Sequence, residues 1–221
     1  MSKLDPSTTT VIPFLVEQIR NLIWDGTLLP GAQIKQADLA KKYNISHIPI
    51  REAMRILEAD GLLENFPNKG VRVAPLSTVE MQEVTLEIVG LLSVLLPHAV
   101  PHLKPESFAK MSTLAREMDR PDVPPETHLE FWMMLVGPSQ LPHLNSRLLQ
   151  LIWRGGRYFK AGGKVIFTEM AEVHPNREDM LAACKLGDIQ AALVAIKTFF
   201  RVRIDLYTSR HLKSLPPIEW R

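Results

Sequence analysis

The stretch Gln36–Leu76, QADLAKKYNISHIPIREAMRILEADGLLENFPNKGVRVAPL, constrains this chain most, because its hydrophobic period changes along it and each change is punctuated. A short helical pattern comes first, with Asp38, Leu39, Ala40 and Tyr43 along one side and Lys41 and Lys42 between them. Asn44 and Ile45 break it, and Ser46 is a natural N-cap whose side chain can satisfy free amides of the next helix. Pro49 is tolerated in that helix's first turn. Ile50, Ala53, Met54 and Leu57 recur at helical spacing as one buried stripe to about Asp60. His47, Arg51 and Arg55 lie on the opposite, polar side, with His47 and Arg51 near the helix N-terminus.

Gly61 ends the helix as a C-cap residue does, and Leu62 and Leu63 start a strand. Pro67, Asn68, Lys69 and Gly70 form a turn from which Val71, Arg72 and Val73 return. Helix, turn, helix and hairpin make a winged helix, in which the N-terminal end of the second helix enters the major groove. The candidate base contact is Arg51, probing for guanine, with Ser46, His47 and Arg55 beside it. Lys41, Lys42, Lys69 and Arg72 are candidates to hold phosphates, and Gly70 lets the wing backbone come close.

This stretch resembles the DNA-binding domain of the GntR family of bacterial transcription regulators. The similarity starts at IWDGTLLPGAQI, Ile23 to Ile34, continues through ADLAKKYNIS and PIREAMRILEADGLLE, and ends in NKGVRVAPLS. Where the family carries Ser, Arg, Thr, Pro, Val, Arg, Glu, Ala, this chain has SHIPIREA. Arg51 and Glu52 match; His47 and Ile48 do not. The family arginine at the position of His47 contacts DNA, so the resemblance implies a different base preference and a lower affinity here.

Bulk charge does not argue for DNA binding, since the 221 residues carry a formal net charge of only +2. The argument rests on where the cations fall. Cys184 is the sole cysteine, which excludes an intrachain disulfide and fits a reducing compartment. Its neighbours Leu181, Ala182 and Ala183 suggest a buried structural thiol. No secretion signal and no apolar run approaching a membrane span is expected, so the reading is a cytoplasmic protein without membrane contact.

In chain order, Met1 to Thr9 is polar, and a first helix runs from about Thr10 to Asp25 on Val11, Leu15, Ile19, Leu22 and Ile23. The winged helix-turn-helix occupies residues 1–76, and LSTVEM opens a second domain, 77–221, with Ser77 or Thr78 as cap. From there strand alternation is absent. Helices are expected over Val79 to Ala99, Lys104 to Met118, from Glu126 through HLEFWMMLVG, Leu141 to Tyr158, Arg177 to Leu186 and Ile189 to Ser209. Phe167 falls near a loop or short turn, and Gly187 with Asp188 separates the last two helices. The fold class is mainly α: an N-terminal winged helix-turn-helix followed by an all-α helical bundle.

FWMMLVGPSQLPHL and REDMLAACKLGDIQAALVAIKTFF are similar to segments of the effector-binding domain of the FadR-type branch of the GntR family. The resemblance implies a bundle that dimerises a repressor and encloses a small-molecule pocket, in many members with a metal. This chain departs from the family ligands at each position. His128 stands at the aspartate, Trp132 and Arg177 at histidines, and Phe199 at the last histidine. A closed divalent site needs three or more imidazole, carboxylate or thiolate donors, so no metal and no cofactor is expected. A rearranged site using His143 and His174 is the alternative. A family arginine and glutamate of the first bundle helix correspond to Ile88 and Leu92, which makes the interior less polar.

Trp132 and Phe199 give this pocket aromatic walls, and Arg177 brings a fork of donors suited to a carboxylate or phosphate. His128, Trp132, Arg177 and Phe199 are therefore the candidate effector residues, for an organic acid with an apolar body. The opposite reading has Trp132 and Phe199 closing the cavity and Arg177 facing solvent. The expected partners are double-stranded DNA with an inverted-repeat operator, a small carboxylate effector and a second copy of the chain. Two alternatives stay open. One is a constitutive dimeric DNA binder with a closed pocket; the other is an enzyme-like, metal-dependent helical domain using His128, Glu130, Glu169 or His174 as acid or base. No nucleophile motif or phosphate-binding glycine loop supports the enzyme, and GGRYFKAGG reads as a helix end.

Overall fold

Hydrophobic spacing in the first third of the chain builds helices around one small core. The computed structural model describes residues 8–66, 70–120, 122–161 and 174–211. Helix α1, Thr8–Trp24, buries Val11, Leu15, Val16, Ile19, Ile23 and Trp24, while Leu22 is only half-buried. It packs against helix α3, His47–Ala59, whose stripe of Ile50, Ala53, Met54 and Leu57 is buried as the spacing predicts, with Pro49 buried as well. Helix α2, Gln36–Tyr43, buries Leu39 and sets the Tyr43 ring edge-on to Phe14 at 6.0 Å. Asn44 takes the left-handed conformation, φ 53°, that short polar side chains tolerate, and this ends α2.

Ser46 occupies the N-cap of α3 with extended backbone, but its side chain makes no capping hydrogen bond, contrary to the expectation. Ser46 is exposed. The other end of α3 follows the glycine signal. Gly61, at φ 71°, turns the chain so that its amide reaches Glu58 O and the Leu62 amide reaches Leu57 O, both at 2.9 Å. This is the paired closure of a Schellman motif. An ion pair between Arg20 and the buried Asp60 ties the end of α3 to α1.

The wing is a three-stranded antiparallel sheet, β1 (Gln33–Ile34), β2 (Leu63–Phe66) and β3 (Gly70–Val73), in the order β1-β3-β2. Leu63 pairs with Val73 and Phe66 with Gly70, so the expected hairpin forms, with Gly70 in the returning strand where a turn residue is expected. β1 is an addition: two residues are too few to show alternation, yet Ile34 is buried opposite Val71. The turn Pro67, Asn68 and Lys69 lies outside the described residues, as do Met1–Ser7, Phe167 and Glu169.

The chain divides into two compact units, Met1–Leu76 and Ser77–Arg221. The described part of the second is helical: α4 (Thr78–Ala99), α5 (Pro105–Glu117), α6 (Pro125–Val136), α7 (Pro142–Ala161), α8 (His174–Leu186) and α9 (Ile189–His211). Short 3-10 turns follow α4 and α6. Ser77 caps α4, its hydroxyl accepting from the Glu80 amide at 3.4 Å, while Thr78 is buried. α6 opens one residue before Glu126, because Pro125 suits the first turn where its missing amide costs nothing. α4 is the central element, packed against α7 and α9, with Ile88, Leu92, Leu95 and Leu96 in the core.

α4 corrects one expectation. Thr78–His102 is long and apolar enough to span a bilayer by length and composition, with a mean hydropathy of 1.7 in its most apolar window, half of which is buried in the protein. Its apolar character is explained by its central position among the helices. At the α8–α9 junction, Gly187 at φ 73° and the Asp188 amide reaching Ala183 O repeat the Schellman closure. Asp188 then caps α9 by accepting from the Ala191 amide at 2.9 Å.

Candidate functional sites

Two sites stand out, one in each unit. In the first, α3 presents an outer face that the buried stripe leaves free. His47, Ile48, Arg51 and Arg55 are all exposed. Arg55 is braced by Glu52 one turn back, 3.0 Å from its guanidinium, a surface pair that orients the side chain more than it stabilises the helix. Lys41 and Lys42 are exposed in the last turn of α2, and Lys42 lies 5.3 Å from the centre of the Tyr43 ring. Together these side chains form a basic surface on the two helices of the helix-turn-helix.

The wing contributes differently. Gly70 is exposed at φ 77°, and a Cβ there would meet only the Gln33 side chain, at 3.4 Å. Glycine is required by the backbone angle more than by the space. Arg72 is half-buried on β3, with its guanidinium carbon 5.9 Å from the Phe66 ring centre and its Nε making no hydrogen bond among the described residues. It lies along the stem of the wing. Lys69 lies outside the described residues.

The second site is a cationic centre inside the helical unit. Arg177, on α8, is 2 % exposed and pairs closely with Asp119, which follows α5. Its guanidinium carbon lies 5.1 Å from the centre of the Phe199 ring on α9. Arg203, one turn along α9, is 5 % exposed and reaches the same ring at 4.2 Å. Nε and Nη1 of Arg177 are buried without a hydrogen-bond partner among the described residues. Burial lowers the Arg177 pKa below the ordinary arginine value, with Asp119 opposing that shift. Burial also pushes Arg203 well below the ordinary value; the adjacent Arg177 charge adds to this and Asp119 opposes it.

Aromatic side chains extend the centre. Phe199 meets Phe200 edge-on at 5.1 Å, Phe200 stacks on Trp132 at 6.3 Å, and Trp132 meets Phe131 at 5.3 Å. His128, buried one turn before Trp132 on α6, is 6 % exposed. Of the expected effector residues, Arg177 and Phe199 are in direct contact, and Trp132 joins them through Phe200. Ile88 and Leu92 are buried in the core of α4.

Arg203 and Asp119 were not anticipated. Charged residues in a helical pattern are ordinarily assigned to the solvent side, and the signal that identifies Arg203 is its spacing of four from Phe199 on α9. A divalent metal does not fit here, because Trp132 and Phe199 have no lone pair to donate and a guanidinium repels the ion. Among the described residues no group of three or more His, Cys, Asp or Glu is placed to hold one. His143 is exposed, and the His174 side chain lies outside the described residues.

Three helices, a short wing and a basic outer face on the second helix of the turn define a winged helix-turn-helix domain of the DNA-binding class. Residues 13–73 match the family described as "Bacterial regulatory proteins, gntR family", and this N-terminal unit belongs to the GntR family. Over 82 residues the chain is 39 % identical to the uncharacterized HTH-type transcriptional regulator YdhC of Bacillus subtilis (strain 168), covering 37 % of this chain and 36 % of that protein. An HTH-type regulator of Agrobacterium vitis is 35 % identical over 66 residues, 30 % of this chain and 39 % of that one. The matched stretch thus spans little more than a third of these relatives.

The fold extends much further than the sequence identity. E. coli McbR/YncC has a TM-score of 0.77 at 20 % identity, covering 91 % of this chain and 99 % of that one. A GntR transcriptional regulator from Rhodococcus sp. RHA1 has a TM-score of 0.73 at 18 % identity, covering 90 % and 98 %. The winged helix followed by a helical unit is the architecture of these proteins.

Proposed function

We propose that the chain is a FadR-type transcription regulator of the GntR family, a repressor whose first unit binds an operator and whose second binds a small organic acid. The observation that carries the reading is the exposed row of His47, Arg51 and Arg55 on α3, next to Lys41 and Lys42, within the unit that matches the family. Arg51 contacts a base edge, with Ser46, His47 and Arg55 around it, and the α2 lysines and the wing hold phosphates. The relatives named as transcriptional regulators favour this over an enzyme.

The effector reading rests on Arg177 and Arg203. A buried cation costs several kcal/mol unless paired and hydrogen-bonded, and Arg177 keeps two buried nitrogens unbonded among the described residues. An anion bridging to those nitrogens satisfies them, and an apolar body suits the aromatic walls of Phe199, Phe200 and Trp132. The ligand moves the equilibrium between DNA-binding states only by its difference in affinity for them.

The chain works as a homodimer in this account, on an inverted repeat. In its support, one exposed face of α4 carries Val79, Leu86 and Val94 together with Glu83, and Gly90 lies on it, where an added Cβ would meet nothing within 4 Å. That is a surface against which another helix packs closely.

The test is selection from a random DNA pool with the full chain, at two salt concentrations and with metal chelated. An enriched inverted repeat that survives chelation supports the reading. No enrichment, or enrichment lost with the chelator, overturns it.

A further inference from the structure

We propose that Ile48 reads DNA sequence through the 5-methyl group of a thymine, so that it fixes one A·T pair in each half-site. The inference rests on the reading of α3 as the recognition helix and adds the residue that departs most in chemistry from its polar surroundings. Ile48 is 64 % exposed, the most exposed large hydrophobic side chain among the described residues of the first unit. At 3.6 residues per turn it points almost directly away from the stripe of Pro49, Ile50, Ala53, Met54 and Leu57. Arg55 lies along the same outward line, with Arg51 to one side and Glu52 to the other. An apolar group therefore occupies the centre of the outward face, between Arg51 and Arg55 on one side and Glu52 on the other.

Among the described residues nothing accounts for that placement. Isoleucine in the first turn of a helix loses rotamer freedom, has no polar atom to cap an amide, and when exposed gains no burial. The position is nonetheless the part of a recognition helix that reaches base edges. The major-groove edges of guanine, cytosine and adenine present only donors and acceptors, whereas thymine adds a methyl group. An isoleucine against the first three desolvates polar atoms without replacing their hydrogen bonds. Against thymine it buries apolar surface on both sides. Arg51 and Arg55 on the same face, with Lys41 and Lys42 exposed on α2, match a polyanion better than a hydrophobic protein partner.

The test uses the full chain and the duplex enriched from a random pool. Each thymine is replaced in turn by deoxyuridine, which lacks only the methyl. The wild type is expected to bind about fourfold more weakly when one particular thymine per half-site is replaced, equivalent to about 0.8 kcal/mol for one methyl-sized group. Ile48→Ser, whose folding is checked by thermal unfolding because the site is exposed, should bind but be indifferent to that replacement. A wild type indifferent at every thymine overturns the proposal while leaving the DNA-binding reading intact, and so does an Ile48→Ser protein that keeps the wild-type sensitivity. A serine variant with unchanged DNA binding but altered self-association makes Ile48 a protein contact and overturns it too. Failure to enrich any sequence removes the DNA-binding reading, and the proposal with it.

Discussion

The guanidinium carbon of Arg203 lies 4.2 Å from the centre of the Phe199 ring, which sits one helical turn earlier on the same helix. Arg177 approaches the same ring from α8 at 5.1 Å. Phe199 gives each guanidinium a π surface in place of water, and the two like charges, offset in part by Asp119, set up a field that favours an anion.

That field makes the first prediction. Small carboxylates with an apolar body, phenylacetate and benzoate among them, should raise the thermal unfolding temperature in proportion to the logarithm of their concentration. A ligand at one hundred times its Kd adds about 2.7 kcal/mol. Arg177→Met should remove the shift, and so should Phe199→Leu, which keeps both cations but not the ring. An equal shift in both variants would place the ligand elsewhere.

Why the centre was only half legible in the sequence follows from its parts. Arg177 and Phe199 stand at positions that the family resemblance singles out. Arg203 falls between Arg201 and Asp205, both exposed, and a local pattern of charges gives no sign that one of them points inward. The stripe of α3 was legible because Ile50, Ala53, Met54 and Leu57 repeat at helical spacing over a whole element. β1 was not, because two residues carry no period and the partner strand β3 is distant in the sequence.

A second prediction concerns Cys184, whose thiol is 2 % exposed and pushed by burial from 9.0 up to about 11. Well below pH 9 the thiol is protonated in both folded and unfolded chains and contributes no slope. Between pH 9 and 11 the unfolded chain releases the proton and the folded chain retains it, so stability falls with rising pH. The contribution is about 2–3 kcal/mol at most. Denaturant unfolding across that range should show Cys184→Ala losing less stability than the wild type; parallel curves would contradict the assignment.

The helix ends supply a third. Gly61 and Gly187 both hold positive φ, 71° and 73°, and each closes a Schellman motif. Alanine at either position should cost about 1–2 kcal/mol from the left-handed backbone. At Gly187 a Cβ meets nothing within 4 Å, so the loss there is free of a clash. Thermal unfolding of the two variants checks this, and an unchanged melting temperature for Gly187→Ala would show that the turn relaxes.

The central claim is that α3 reads the operator, and the most direct measurement is fluorescence anisotropy of the selected duplex with wild type and Arg51→Ala. Arg51 is exposed on the face opposite the buried stripe, so its loss should leave folding intact. The account predicts a loss of about 1–3 kcal/mol on the selected sequence, with reduced discrimination at one base pair per half-site. Equal affinity and equal discrimination for the two proteins would contradict it.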